Sequence, residues 1–368
     1  MQELNNIPFA EIKNIFQEIL GKDIFIENVS RLKSLIPVPN SDRTKNINFI
    51  NLAKKADVYR IKYSTENDSG DIILKLLVTD RASKWESVYS FINENEILPE
   101  QAQILDKGIV SDNSLISVNN VSFFYEIIDF VPGMPYSSHL TSLLESKTLE
   151  NKDIAKAITI SDYLAQIFNE SHTSDRLMYV KETCNFVQHN LQKLDFFESD
   201  VDFYNKYNEE IHIIRDALED LLINSVKHDL VCKVHNDFHP NNISFDSDGE
   251  FHTFDNFGNI YGEQAADLAT ISLFYIWYDL REDITGKPFL NLFNQFMNNY
   301  LDKTNNKDIL TVLPIFYGVR ALRLAYVNEL IDQDPHTNKP LLNLVCESIK
   351  DGCFKIEKIN EALKYNEN

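Results

Sequence analysis

Cysteine is scarce in this chain of 368 residues: there are four, at positions 184, 232, 346 and 353. No two have the two- to four-residue spacing of a tetrahedral zinc site, so a zinc fold is excluded and reduced thiols in a reducing compartment are expected. Basic residues are also few, 35 Lys+Arg against 56 Asp+Glu, for a net charge of −21. That balance argues against a standing grip on nucleic-acid phosphates or anionic lipid. It reads as a solvated surface kept soluble by like charge, and it would suit a cationic small substrate. Long apolar runs are missing: the longest, residues 268–278, is too short to span a bilayer, and the N-terminal residues lack the basic head and apolar stretch of a secretory signal. A cytoplasmic protein is expected, with no nucleic-acid and no membrane partner, and of unspecified oligomeric state. No fixed-period repeat or low-complexity segment occurs. With 43% hydrophobic and 11% aromatic residues, the chain has material for one large or two medium cores.

What is present changes character along the chain. Residues 8–20 carry Phe9, Ile12, Ile15, Phe16, Ile19 and Leu20 at helical spacing, between Pro8 and Gly21. From Asp23 to Val131 short β-type runs follow: 24–29, 47–52, 58–63, 72–78, 115–118 and 121–130. The Asn119-Asn120 pair suits a two-residue hairpin turn, and one helix is expected over 84–93. Pro132-Gly133 then breaks the last strand. Beyond it helical patterns cover 151–172, 179–194, 204–227, 263–278, 289–300, 310–330 and 341–363, interrupted by a small hairpin over 243–245 and 251–254. The expected organisation is an N-terminal helical extension (1–22), a β-rich nucleotide-binding lobe (23–131) and a helical catalytic and substrate-binding lobe (132–368). Clefts between such lobes are favoured ligand sites.

The densest polar cluster is His235-Asn236-Asp237-Phe238-His239-Pro240-Asn241-Asn242, with Asp255 just after the small hairpin. Phosphoryl transfer needs one carboxylate to orient the acceptor hydroxyl, and an amide plus a second carboxylate to hold the magnesium that bridges the phosphates. Asp237, Asn242 and Asp255 supply that set. The spacing His-x-Asp, four residues, Asn is that of a kinase catalytic loop. His239 has no evident chemistry and reads as a packing or capping histidine. Asp267, at a helix start favoured by the dipole, would tie that helix to the loop. In the first lobe, Lys75 lies inside the apolar run Ile72-Ile73-Leu74-Lys75-Leu76-Leu77-Val78, where an unpaired ammonium is costly. It needs an anionic partner.

The loop together with Asp255, Gly262 and Asp267-Leu268-Ala269 resembles the aminoglycoside phosphotransferase and choline kinase family of small-molecule kinases, over roughly residues 51–330. The resemblance implies an α+β, bilobal, protein-kinase-like fold: an antiparallel sheet lobe with one main helix, then a larger helical lobe. It implies that Asp237 is the catalytic base, Asn242 and Asp255 the magnesium ligands and His235 a brace of the loop near Asp255. Lys75 resembles the third-strand lysine that meets the nucleotide phosphates, with Glu86 its helix partner. Ser83-Lys84-Trp85-Glu86 also spells a capping box, and Glu94 and Glu96 compete for the pairing. The segment Ile127-Ile128-Asp129-Phe130-Val131-Pro132-Gly133 resembles the family's hinge, whose backbone, at Ile128 and Phe130, would meet a purine edge. ATP is the expected nucleotide, with GTP not distinguished. One departure is the turn Leu52-Ala53-Lys54-Lys55-Ala56-Asp57, which lacks the usual glycine; Lys54 and Lys55 could supply charge there or simply be solvated.

The expected activity is therefore ATP- and magnesium-dependent transfer of the γ-phosphate to a hydroxyl of a small molecule. A cationic acceptor, such as an aminoglycoside, choline or ethanolamine, could use carboxylates at Glu263, Asp279, Glu282, Asp283, Glu329, Asp332 and Asp334 and aromatics at Tyr275, Trp277 and Tyr278; the plainer reading is that these aromatics pack the helix core and these acids face water. The alternatives are a protein Ser/Thr kinase and a catalytically inactive nucleotide-binding scaffold. Against the first, the chain after Asp255 is too short for an activation segment ending in an Ala-Pro-Glu motif.

Overall fold

A computed structural model describes residues 24–31, 56–66, 68–78, 104–111, 121–131, 133–224, 231–254, 261–282, 284–331 and 334–364. The expected helices over 8–20 and 84–93, the strands over 47–52 and 115–118, the Asn119-Asn120 turn, and Lys54, Lys55, Glu86 and Asp255 lie outside these residues. The described chain falls into two compact units, one ending before Gly133 and one running from it.

The first unit holds a five-stranded antiparallel sheet: β1 (Phe25–Arg31), β2 (Ala56–Ser64), β3 (Ser69–Val78), β4 (Ile104–Ser111) and β5 (Val121–Asp129), in the order β1-β2-β3-β5-β4. The most continuously apolar strand, β3, is central, as expected of a strand covered on both faces. Its neighbours Leu74 and Lys75 point to opposite faces and both are buried. Lys75 stands opposite Val58 of β2 and Glu126 of β5.

Two strand pairings go beyond the sequence reading. Over Tyr59–Ser64 the neighbour of β2 is β1, with Arg31 opposite Tyr59 and Phe25 opposite Ser64. The partner of β5 is β4, a strand the pattern misses because Asp106-Lys107-Gly108 breaks its alternation. Cross-strand pairing supplies what local propensity lacks there.

The second unit is mostly helical: α1 (Tyr136–Ser146), α2 (Asn151–Ser171), α3 (Arg176–Ser199), α4 (Val201–Asn224), α5 (Ala265–Arg281), α6 (Pro288–Thr304), α7 (Ile309–Ile331), α8 (Asn338–Asp351) and α9 (Ile356–Lys364). Helix α5 is buried from Ala265 through Leu273 and packs on α6 and α7, while α2 packs on α6 and α7 on α8. Helix α7 is long and apolar enough to cross a membrane by length and composition, yet 67% of its most apolar window is buried within the fold.

Helix α1 was not expected, since Ser137, Ser138, Thr141 and Ser142 weaken the helical pattern; Leu140, Leu143 and Leu144 fold it by burial. The single helix expected over 341–363 is two. Gly352, at φ 67°, takes the left-handed cap of α8 and its N–H bonds the carbonyl of Ile349.

Three short strands, β6 (Met134–Pro135), β8 (Ile243–Phe245) and β9 (Phe251–Thr253), form a second sheet in that order. Gly133 enters it at φ 134°, and a Cβ at this position would lie 2.5 Å from the Phe245 carbonyl oxygen. Backbone cannot swing aside as a side chain can. Gly133→Ala should therefore lower stability by about 1–3 kcal/mol, read as a lower denaturant midpoint; a midpoint equal to wild type would show that β6 tolerates the contact.

Candidate active site

The cluster at 235–242 hangs from a two-strand ribbon. Strand β7 (Cys232–Lys233) pairs with β10 (Tyr261–Gly262), and the Lys233 N–H donates to Ser171 Oγ at the end of α2. Because α5 starts directly after β10, its first turn lies beside the loop. Asp267 occupies that turn, is 1% exposed, and accepts the N–H of His235 through Oδ2 at 2.6 Å and that of Asn236 through Oδ1 at 2.9 Å. Burial pushes its carboxyl up to about 7, against the two amides and Arg320. Its expected tie between helix and loop is thus a pair of hydrogen bonds.

The rest of the loop is held from several sides. His235 is fully buried and its Nε2–H donates to the Phe254 carbonyl at 3.0 Å, next to the position of Asp255. Phe238, also fully buried, stacks on Tyr163 of α2 at 5.7 Å between ring centres. Asn236 adopts φ 65°, a left-handed conformation that Asn tolerates better than most residues. His239 caps the short 3-10 turn Pro240–Asn242, its Nδ1 accepting the Asn241 N–H at 3.2 Å. That bond makes Nε2 the protonated nitrogen of the neutral ring, and Nε2 lies 3.5 Å from Asp237 Oδ2. Asn242 donates from Nδ2 to the Asp237 carbonyl at 2.9 Å, leaving its side-chain oxygen as the atom able to meet a cation.

Asp237 is partly exposed, at 26% of its side chain, with Arg320 Nη1 at 3.6 Å and Arg323 Nη1 at 3.9 Å from Oδ1. Burial raises its carboxyl, but His239, Arg320 and Arg323 outweigh that and hold it well below the usual carboxylate range. Arg320 also donates from Nη2 to the Asn236 carbonyl at 2.7 Å. The sequence reading misses both arginines. Their signal was available: two cations one turn apart in the otherwise apolar stretch Gly318-Val319-Arg320-Ala321-Leu322-Arg323-Leu324-Ala325 of α7.

The remaining expected residues are placed as follows. Lys75 is buried on β3, 8% exposed. Ile128 lies within β5, and Phe130 is just past its end, where Arg60 sits 3.9 Å over the ring while forming a two-pronged ion pair with Asp71 at 2.9 and 3.1 Å.

Of the groups expected to greet a cationic acceptor, Tyr275, Trp277 and Tyr278 are buried, bonded to Tyr136, Thr337 and Thr141 respectively. Asp279 pairs with Lys287, Glu282 with Lys147, Asp334 with Arg281, and Glu329 with Lys206, Tyr207 and Asn338. Burial pushes the Glu263 carboxyl up to about 8. Asp283 and Asp332 lie outside the described residues. All four cysteines are free.

No family model matches the chain, and no curated protein does. Solved structures do. A spectinomycin phosphotransferase in complex with ADP and spectinomycin is similar with a TM-score of 0.47 and 13% identity, over 98% of this chain and 99% of that one. A choline kinase from Streptococcus pneumoniae gives 0.43 and 12%, over 93% and 98%. A microcompartment-associated aminopropanol kinase gives 0.40 and 11%, over 95% and 98%.

Two measurements test the loop. Asp267→Asn leaves one loop amide facing an N–H instead of an oxygen, so unfolding should become easier by about 1–3 kcal/mol, seen in denaturant melts; an unchanged midpoint would remove Asp267 as the anchor. Asp237 is ionised more easily folded than unfolded, so its stabilisation is present above the unfolded value near about 4 and is lost as pH falls through the lower folded value. The stability gap between wild type and Asp237→Asn should hold steady above about pH 5 and shrink below it; a gap that widens with acid would reverse the assigned charge balance.

Proposed function

We propose that the protein is a kinase that transfers the γ-phosphate of ATP to a hydroxyl of a small molecule, with magnesium. The observation that carries this reading is the loop itself: an ionised, partly exposed Asp237 fixed at a set distance from Asn242 by the bond between the Asn242 amide and the Asp237 carbonyl. Asp237 is the group that receives the hydroxyl's proton as the phosphoryl group transfers, and its low proton affinity suits a group that must be ionised when the acceptor arrives. Geometry argues for the same role, since its contacts at 3.5 to 3.9 Å are longer than hydrogen bonds and leave an oxygen able to accept.

Magnesium, when bound, neutralises charge on the phosphates. Asn242 Oδ1 and Asp255 are the proposed holders, and the donor set fits, because an amide oxygen and a carboxylate are the hard oxygen ligands this ion takes. Lys75 is the proposed partner of the nucleotide phosphates, with Glu86 supporting it, and the backbone at Ile128 and Phe130 the proposed contact for the purine; GTP would fit the same backbone. Lys54 and Lys55 are proposed to lend charge near the phosphates, in a cytoplasmic enzyme. The protein-kinase alternative is disfavoured because α5 begins so soon after Asp255.

Asp237→Ala should reduce transfer at least about a thousandfold while ATP binding, followed by calorimetry, stays near wild type. Retained turnover would remove the base assignment. Nucleotide binding by wild type with no transfer to any of a broad panel of alcohols would favour the inactive scaffold.

A further inference from the structure

The acceptor is unnamed in that reading, and the two arginines beside Asp237 bear on it. Arg320 is committed to the fold: it bonds the Asn236 carbonyl at 2.7 Å and only 19% of its side chain is exposed. Arg323 is different. Its side chain is 48% exposed, and its Nη1 approaches Asp237 Oδ1 at 3.9 Å, beyond hydrogen-bond distance. A guanidinium offers a planar fork of N–H donors that matches a carboxylate or phosphate two-to-two. Both guanidinia face Asp237, and of the two Arg323 has the fork that is open to solvent. The spot where a hydroxyl would be presented is therefore flanked on its α7 side by an exposed guanidinium. In a chain of net charge −21, that cation is a local feature. Among the described residues, four of the carboxylates named for an ammonium, Asp279, Glu282, Glu329 and Asp334, are paired elsewhere.

Resting on the phosphotransfer reading of the loop, we infer that Arg323 is a specificity residue, and that the acceptor carries an anionic group, a carboxylate or a phosphate, on the same molecule as the hydroxyl it offers to Asp237. The anion lies on the Arg323 fork; the hydroxyl, a few bonds away, reaches the Asp237 carboxylate. Transfer then moves the phosphoryl group from the nucleotide oxygen to the acceptor oxygen and the hydroxyl proton to Asp237, with ADP leaving.

Matched alcohols that differ in the anion test this. L-serine is compared with ethanolamine, L-threonine with isopropanolamine, glycerate with glycerol, and glycerol phosphate with glycerol. ADP release is measured with ATP and magnesium for wild type, Arg323→Gln and Arg323→Lys. In wild type the anionic member of at least one pair should have a kcat/KM about tenfold or more above its partner, the first three pairs reporting a carboxylate and the last a phosphate. In Arg323→Gln that ratio should fall about tenfold through the acceptor KM, with the KM for ATP changed less than about threefold, and Arg323→Lys should restore part of it. Thermal shifts by the same anionic compounds in the presence of ADP give a second readout without catalysis, and should be smaller in Arg323→Gln.

A preference for the amine-only or neutral member of every pair overturns the inference while leaving the kinase reading intact. So does a ratio that Arg323→Gln does not alter. A rise in the KM for ATP instead assigns Arg323 to the nucleotide and also overturns it. Absence of transfer to all of these and to any other alcohol tried sinks the phosphotransfer reading, and this inference with it.

Discussion

The arrangement of the second unit's polar loop depends on one carboxylate accepting two successive backbone amides. Asp267 is buried in the first turn of α5, and its two oxygens meet the N–H groups of His235 and Asn236. A loop carries many peptide groups that must be satisfied wherever it is buried. Here a helix start meets two of them at once and fixes where the chain turns. Asn236 can then adopt its left-handed conformation, which delivers Asp237 to the partly exposed side while Phe238 goes into the core.

A second constraint is electrostatic. Burying a carboxylate raises its proton affinity, and a group intended to be ionised needs positive charge or donors in compensation. At Asp237 the compensation comes from His239 and two guanidinia, none bonded so closely as to occupy its oxygens. Arg320 serves the backbone of the loop and the charge of Asp237 together, so the position of α7 and the ionisation of Asp237 are linked. Arg323 extends the same field to the surface. The helix that carries both is apolar enough to be mistaken for a membrane span, and most of its apolar window is instead spent on the core.

The residue types and spacing of the loop could be read directly. His235, Asp237, Asn242 and Asp267 stand at spacings that chemistry explains, and three of the four are buried together with partners that hold the loop. The helical segments of the second unit were legible for a similar reason, since a repeating apolar face is a property of the chain and needs no knowledge of its neighbours. Where burial or pairing rather than periodicity makes the element, reading failed. Serine-rich α1 is folded by three buried leucines, and β4 exists because β5 lies beside it. The break at Gly352 was visible in principle, but a glycine inside a long apolar pattern does not announce whether it kinks or ends a helix.

Composition and order along the chain determined by themselves that a β-rich part precedes a helical one, and that one short polar stretch gathers histidines, a carboxylate and amides at close spacing. Those are statements about neighbours in sequence, where spacing and side-chain type carry the information. Only the tertiary structure decided which cations stand beside Asp237, because Arg320 and Arg323 are more than eighty residues away and reach it through the packing of α7. It also decided that most of the acids expected to receive a positively charged acceptor are already paired or buried. Electrostatic fields act through space, and a chain does not state which of its distant charges folding will bring within 4 Å.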